Sequence, residues 1–212
     1  MTPELKKLTA WAGIIFPALF VITFTLEDFL RPGYNALADF ISALSLGPRG
    51  WIQITNFILT GALMFVFTRR IAAEFPTGKA SRGGLIFLTM IAVLFMVSGP
   101  FVMDPAETPV NQGTVHGTIH GILGSLAFLL MPISTFVYLR RFNSDPAWKS
   151  FCTWTISLAL IITANLVLFT VSSKITQFQI AFAGWLGLIQ RALIVPFMLW
   201  MFIFGIKLLK RS

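Results

Sequence analysis

Six stretches of the chain are dominated by apolar residues, at 8–27, 51–70, 84–103, 114–139, 151–171 and 183–206. A helix that crosses a bilayer needs about 20 mostly apolar residues, and lipid offers no hydrogen-bond partners to an open backbone, so such stretches must fold as helices. The pattern predicts an all-α integral membrane bundle of six transmembrane helices, forming one domain over residues 1–212. The polar segments between the stretches are short except the first, Arg31 to Gly50. There Leu37, Phe40, Ile41 and Leu44 recur at helical spacing while Asp39, Ser42 and Ser45 fall off that stripe. Asn35 is placed to cap a helix and Gly47–Pro48 to stop one. This predicts a short amphipathic helix on the outer membrane surface, over the mouth of the bundle. Pro17, Pro132 and Pro196 lie inside spans and predict kinks or freed carbonyls.

Composition narrows the class further. Of 212 residues, 56% are hydrophobic and only 11% are charged, against about 25% charged residues in soluble domains. With a mean hydropathy of +0.82, a water-soluble globule, a disordered chain and a coiled coil are excluded. Lys6 and Lys7 precede the first stretch as in a signal peptide, but its apolar run is too long and lacks a small-residue cleavage site, so it reads as a retained span. The single Cys152 allows no intrachain disulfide and no C-x-x-C motif.

The net charge of +8 changes meaning once it is placed on the spans. Lys6, Lys7, Arg69, Arg70, Lys79, Arg82, Arg140, Arg141, Lys149, Lys207, Lys210 and Arg211 fall on the side that carries both termini. Glu27, Asp28, Asp39, Asp104 and Glu107 fall opposite. The positive-inside bias therefore puts both termini in the cytoplasm, with the bundle in the plasma membrane. Nucleic acid binding would need a clustered basic stripe interleaved with aromatics, so the bilayer, not nucleic acid, is the partner these charges address.

Candidate chemistry gathers in the outer half. Counted from the external ends, Asn56, His116, His120, Asn165 and Arg191 all lie within about eight residues of the outer surface, or ~12 Å at 1.5 Å per residue. The cytoplasmic half of the spans offers hydroxyls and one thiol, which satisfy themselves on their own helices. Arg191 is the costliest group, at about 2.5–3.5 kcal/mol inside a span, and calls for a buried partner from Glu27, Asp28 or Asp104. Gly187, one turn earlier on the same face, makes room for a neighbour. His116 and His120, spaced i and i+4, share a face of the fourth span and with Asp104 supply a donor set for zinc or another divalent ion. Gln53, Asn56 and Thr60 mark the inward face of the second span. Gly113, Gly117 and Gly121 form a small-residue stripe suited to close helix packing. Ser42 or Ser45 with a histidine and Asp104 would compose a hydrolase triad, but I-S-A-L-S has none of the features of a nucleophile elbow.

Several of these residues sit in recognisable strings. R-P-G-Y at Arg31–Tyr34, I-S-A-L-S-L-G-P-R-G-W at Ile41–Trp51, D-P at Asp104–Pro105, H-G-T-I-H at His116–His120 and G-L-I-Q-R at Gly187–Arg191 occur in this order. The chain in this respect resembles the bacterial and archaeal membrane proteins grouped as the domain of unknown function 998 family. The resemblance implies a six-span integral membrane protein. It marks the loop-one serines, Asp104, the histidine pair and Arg191 as matching positions and assigns them no chemistry.

The leading functional expectation is that a lipid or other amphipathic small molecule is bound or processed in a polar pocket of the outer half. Arg191 would take an anionic headgroup and His116, His120, Asp104, Asn56, Asn165, Glu27, Asp28 and Ser42 would line the site. The competing expectations are a metal-dependent membrane hydrolase using His116, His120 and Asp104, and a non-catalytic assembly partner or a transporter.

Overall fold

The computed structural model describes all 212 residues apart from the side chains of Lys79 and Val110. It is all-helical, with no strand among the described residues. Six helices are long and apolar enough to cross a membrane. They are α1 (Pro3–Leu30), α2 (Gly50–Glu74), α3 (Lys79–Ser98), α4 (Val115–Asn143), α5 (Lys149–Lys174) and, after a short α6 (Thr176–Phe182) and a 3-10 turn at Ala183–Trp185, α7 (Leu186–Leu209). Each long helix packs on its neighbours in sequence, and α7 returns to α1, so the six close into a ring.

Local chemistry sets the helix ends. Thr2 caps α1, its Oγ1 accepting from the Leu5 N–H at 3.3 Å with Pro3 in the first turn. Thr114 caps α4 in the same way, accepting from Gly117 N–H at 3.0 Å. α3 stops at Ser98, five residues short of the expected end at 103. Gly99 keeps helical backbone angles, but Pro100 follows it and lacks the N–H that would continue the ladder. The three helices carrying Pro17, Pro132 and Pro196 run on through them. Where α1 meets α7, Gly13 faces Gly205, and a Cβ on Gly205 would meet the Gly13 backbone at 2.7 Å, so the contact depends on glycine.

The two ends of the ring are packed differently. At the end that carries both termini, Phe75, Tyr138, Phe142, Trp148, Phe151, Trp200 and Phe204 form a buried aromatic cluster. Phe142 and Trp148 stack at 5.0 Å with rings 14° apart, and Trp200 Nε1 donates to Thr155 Oγ1 at 3.1 Å. Arg70 is also buried there, with no exposed surface, which corrects the expectation that this half of the spans holds only hydroxyls and a thiol. Its guanidinium donates to Glu74 at 3.0 Å and to the Leu208 and Arg211 carbonyls at 3.2 and 3.3 Å. It thereby satisfies carbonyls at the C-terminus of α7 that have no partner within the helix.

At the opposite end, loop one folds over and into the ring. The expected amphipathic surface helix is replaced by a turn after Asn35 and a 3-10 helix at Ile41–Ser45 whose Ile41 and Leu44 are buried. The reason is competition for the backbone. The Leu37 and Ala38 carbonyls accept from the Leu188 and Gly187 N–H groups of α7 at 2.9 and 3.1 Å, the Asp39 and Phe40 carbonyls accept from the Tyr34 hydroxyl, and the Ile41 N–H donates to Gln190 Oε1 at 2.7 Å. Those groups are unavailable to an α-helical ladder, and in exchange the free N–H groups opening α7 are satisfied.

Candidate functional site

Arg191 sits in the second turn of α7, beneath loop one. Its Nε and Nη2 donate to Asp28 Oδ2 and Oδ1 at 3.3 and 2.7 Å, its Nη1 to the Asp39 and Gly187 carbonyls at 3.0 Å each, and its Nη2 also to the Tyr34 hydroxyl at 2.7 Å. A guanidinium carries five N–H donors, and these five bonds use all of them. The Phe24 and Tyr34 rings lie 5.6 and 5.7 Å from its carbon, and the pair keeps only 11% and 10% side-chain exposure. Gly187 permits this arrangement, because a Cβ there would collide with the Ala36 and Asp39 carbonyls. Burial pushes the Tyr34 hydroxyl up to about 12, against the opposing pull of Arg191, so it remains a neutral donor to loop one. Arg191 therefore ties loop one, α1 and α7 together and has no N–H left for an anionic headgroup.

The other acids are engaged in the same manner. Glu27 holds Arg49, at the start of α2, through bonds of 3.0 and 2.5 Å. Asp104 accepts from Thr114 N–H at 2.9 Å and from Thr114 Oγ1 at 2.7 Å, so its charge sits at the positive N-terminus of α4. A Cβ on Gly117 would collide with that carboxylate. The glycine stripe thus divides: Gly117 accommodates Asp104, while Gly121 has nothing within 4 Å of its Cβ position.

His116 and His120 do not share a centre with Asp104. His116 is exposed and packs on Phe101, ring centroids 5.3 Å apart. His120 Nδ1 lies 2.7 Å from the Phe101 carbonyl. A carbonyl only accepts, so Nδ1 carries a proton, and in the neutral ring this leaves Nε2 as an acceptor. Among the described residues no three His, Cys, Asp or Glu side chains come together to hold a metal ion, so the expected donor set of His116, His120 and Asp104 is not assembled. Asn165 is also displaced from the site, its Nδ2 turned back to the Ile161 carbonyl of its own helix at 2.9 Å.

What does converge is a small cavity inside the ring, beneath the 3-10 helix of loop one. Its lining includes Ser42, Phe57, Ser98, His120, Gly124 and Gln190. Its volume is about 40 Å³, against the ~10–15 Å³ that one water needs, so it holds a small polar group and no acyl chain. Gln190 is 5% exposed; its Oε1 is taken by Ile41 N–H, which leaves the Nε2 donors for the cavity. Ser42 Oγ is 3.1 Å from Met103 Sδ, and Ser98 Oγ donates to the Leu94 carbonyl at 2.7 Å. Gly124, one turn after His120, has nothing within 4 Å of its Cβ position, which leaves a gap in the wall. Beside that gap the rings of Phe128 and Phe40 flank Phe169 of α5 at 5.5 and 5.6 Å.

Asn56 lies in a separate buried streak. It donates to the Phe20 carbonyl and to Gln53 Oε1, each at 3.2 Å. Asn56 Oδ1, Gln53 Nε2 and Thr60 Oγ1 are buried with no partner, and the second span turns this face inward. Sequence reasoning passed over Gln190, Tyr34 and Arg70. Gln190 stood in an apolar stretch as plainly as Arg191; Tyr34 and Arg70 lay at or beyond the ends of the spans, where polarity carries no penalty.

A ring of six membrane-length apolar helices, with its ion pairs gathered at the two ends, defines a multi-pass helical membrane protein. Residues 14–207, which include most of every span, match the family described as "Protein of unknown function (DUF998)", and the chain belongs to that family. No curated protein and no solved structure matches it.

Proposed function

We propose that the protein binds the uncharged polar head of a lipid or other amphipathic small molecule in the cavity beneath loop one. The observation that carries this reading is the pair of complementary groups on the cavity wall: Gln190 Nε2 as donor and the His120 ring, whose Nδ1 is held by the Phe101 carbonyl and whose Nε2 is the acceptor when the ring is neutral. The cavity volume of about 40 Å³ suits a head of a few atoms. The apolar part then leaves through the wall at Gly124, which is open at its Cβ position, and runs along α4 towards the bilayer centre past Phe128. His120 and Gly124 are one turn apart, so head site and exit lie on one face. The charge distribution supports a placement with loop one outside and both termini in the cytoplasm, which puts this cavity in the outer leaflet of the plasma membrane.

Arg191 serves this reading as the fastening of the cavity's roof rather than as a receptor for charge, since all its donors are engaged. A monoacylglycerol is a suitable probe, having a small uncharged head and one chain. Replacing Gln190 by Leu or His120 by Phe removes one hydrogen bond to a desolvated group, worth ~1–3 kcal/mol, and should weaken binding about fivefold to a hundredfold. Gly124→Leu should close the exit and abolish binding while the protein stays folded. Undiminished monoacylglycerol binding in all three variants would refute the assignment.

A further inference from the structure

A second site lies at the other end of the bundle, away from the cavity beneath loop one. Between the last turns of α4 and the first turns of α5 runs a groove of about 440 Å³, lined by Leu139, Arg140, Asn143, Cys152, Thr153 and Ile156. On α5 the surroundings are graded along the helix axis. Lys149, just before the lining residues, stands three residues before Cys152 and four before Thr153, and Ile156 follows them by four and three, so these four positions share one face. Lys149 is at the aqueous end, thiol and hydroxyl come next, and Ile156 lies deepest. α4 runs antiparallel, with Asn143 at the aqueous end, Arg140 one turn in and Leu139 on the apolar side. On both walls the charged and polar groups thus stand towards the aqueous end and hydrocarbon lies deeper.

Arg140 and Lys149 have no counter-ion among the described residues: both are exposed and enter none of the five salt bridges formed there. The acid nearest in sequence, Asp145, is held by Arg141 at 3.2 Å and by the Ala147 N–H at 3.1 Å. Lys207 adds a third cation beside the α5 N-terminus, donating to Ser150 Oγ at 3.2 Å above the Trp148 ring. A groove with unpaired cations at its mouth and apolar walls below complements a molecule with an anionic head, a polar linkage and a hydrocarbon chain.

We infer that this groove is a binding site for an anionic phospholipid of the leaflet at the terminus-bearing end. The phosphate is held between Arg140 and Lys149, the ester region lies against Thr153 and Cys152, and one chain runs between Leu139 and Ile156. Each cation near a bilayer surface contributes a factor of about five to the preference for an anionic lipid over a zwitterionic one.

The test uses the full-length protein in detergent, titrated by native mass spectrometry with phosphatidylglycerol and with phosphatidylcholine of the same chains. Wild type should retain one phosphatidylglycerol in preference to phosphatidylcholine. Arg140→Gln should lower phosphatidylglycerol occupancy about fivefold and leave phosphatidylcholine unchanged, while Arg140→Lys should keep the preference. Arg69→Gln makes the same charge change at the same end but away from the groove, and should have little effect. Ile156→Trp should fill the chain path and reduce binding of both lipids. An unchanged preference in Arg140→Gln, or an equal loss in Arg69→Gln, would overturn the assignment and reduce the effect to general surface charge. Because monoacylglycerol binding at His120 and Gln190 is read separately, failure of one site leaves the other standing or falling on its own result.

Discussion

The two ends of the ring each bury an arginine at an end of α7, and they do so with different consequences. Arg70 of α2 meets the C-terminal carbonyls of α7 and shares Glu74 with Arg211, whose Nε lies 2.7 Å from the other carboxylate oxygen. Arg191 belongs to the opposite end of α7 and ties it to loop one and α1, and Asp28 has it as sole ion-pair partner among the described residues. The first clamp closes an end already filled by stacked aromatic rings. The second holds a roof over a cavity with free hydrogen-bonding groups. One end uses its polar groups in packing; the other uses its charges to hold the roof and leaves neutral polar groups facing the cavity.

The contrast implies an order of stability losses. Arg191→Gln strands Asp28 in a nearly dry site, and removing one partner of a buried pair costs ~3–5 kcal/mol. It should give the largest drop in thermal stability in detergent, and Asp28→Asn should match it. Arg70→Gln should cost less, about 1–3 kcal/mol for the lost hydrogen bonds, because Glu74 still has Arg211 and the Leu208 carbonyl keeps the Arg211 N–H and the Ser212 hydroxyl. Equal losses at the two ends would break the distinction between a singly and a doubly partnered acid.

A smaller effect is expected from pH. The Tyr34 pKa is raised by burial to about 12 from 10 in the unfolded chain, so between these values the unfolded state has lost a proton that the folded state keeps. Stability should therefore fall as pH rises from about 10 to 12, with the contribution intact below 10. Tyr34→Phe removes this group, so the stability gap between wild type and variant, followed by thermal unfolding across that range, should narrow. A gap that stays constant would place the hydroxyl outside the clamp.

Much of this was legible in the order of residues, and the failures have physical causes. The six spans follow from the length and apolarity that lipid demands; the early stop of α3 is written in Gly99–Pro100, which a hydropathy pattern ignores. Arg191 was conspicuous because a lone charge in an apolar stretch must find a partner. Arg70 was not, because an Arg69–Arg70 pair at the end of a span reads as a topology signal although one of the two is buried. Loop one showed Ile41 and Leu44 as inward positions, but Leu37 is exposed and the off-stripe Ser42 and Ser45 are buried, because the backbone is claimed by Tyr34 and, from far along the chain, by α7 with its Gln190. The histidine pair had the spacing of a ligand set, yet only one ring faces the cavity, because the Phe101 carbonyl and the turn of α4 separate their surroundings.

The central claim is that the cavity beneath loop one takes a neutral head while Arg191 is structural. It is tested most directly by displacing bound monoacylglycerol with a fatty acid of equal chain length, ionised at pH 8, in the Arg140→Gln protein so that the groove at the far end does not compete. The account predicts that the carboxylate displaces the neutral lipid poorly, because no cation faces the cavity. Displacement by the carboxylate at equal or lower concentration would contradict it and return Arg191 to the role of receptor.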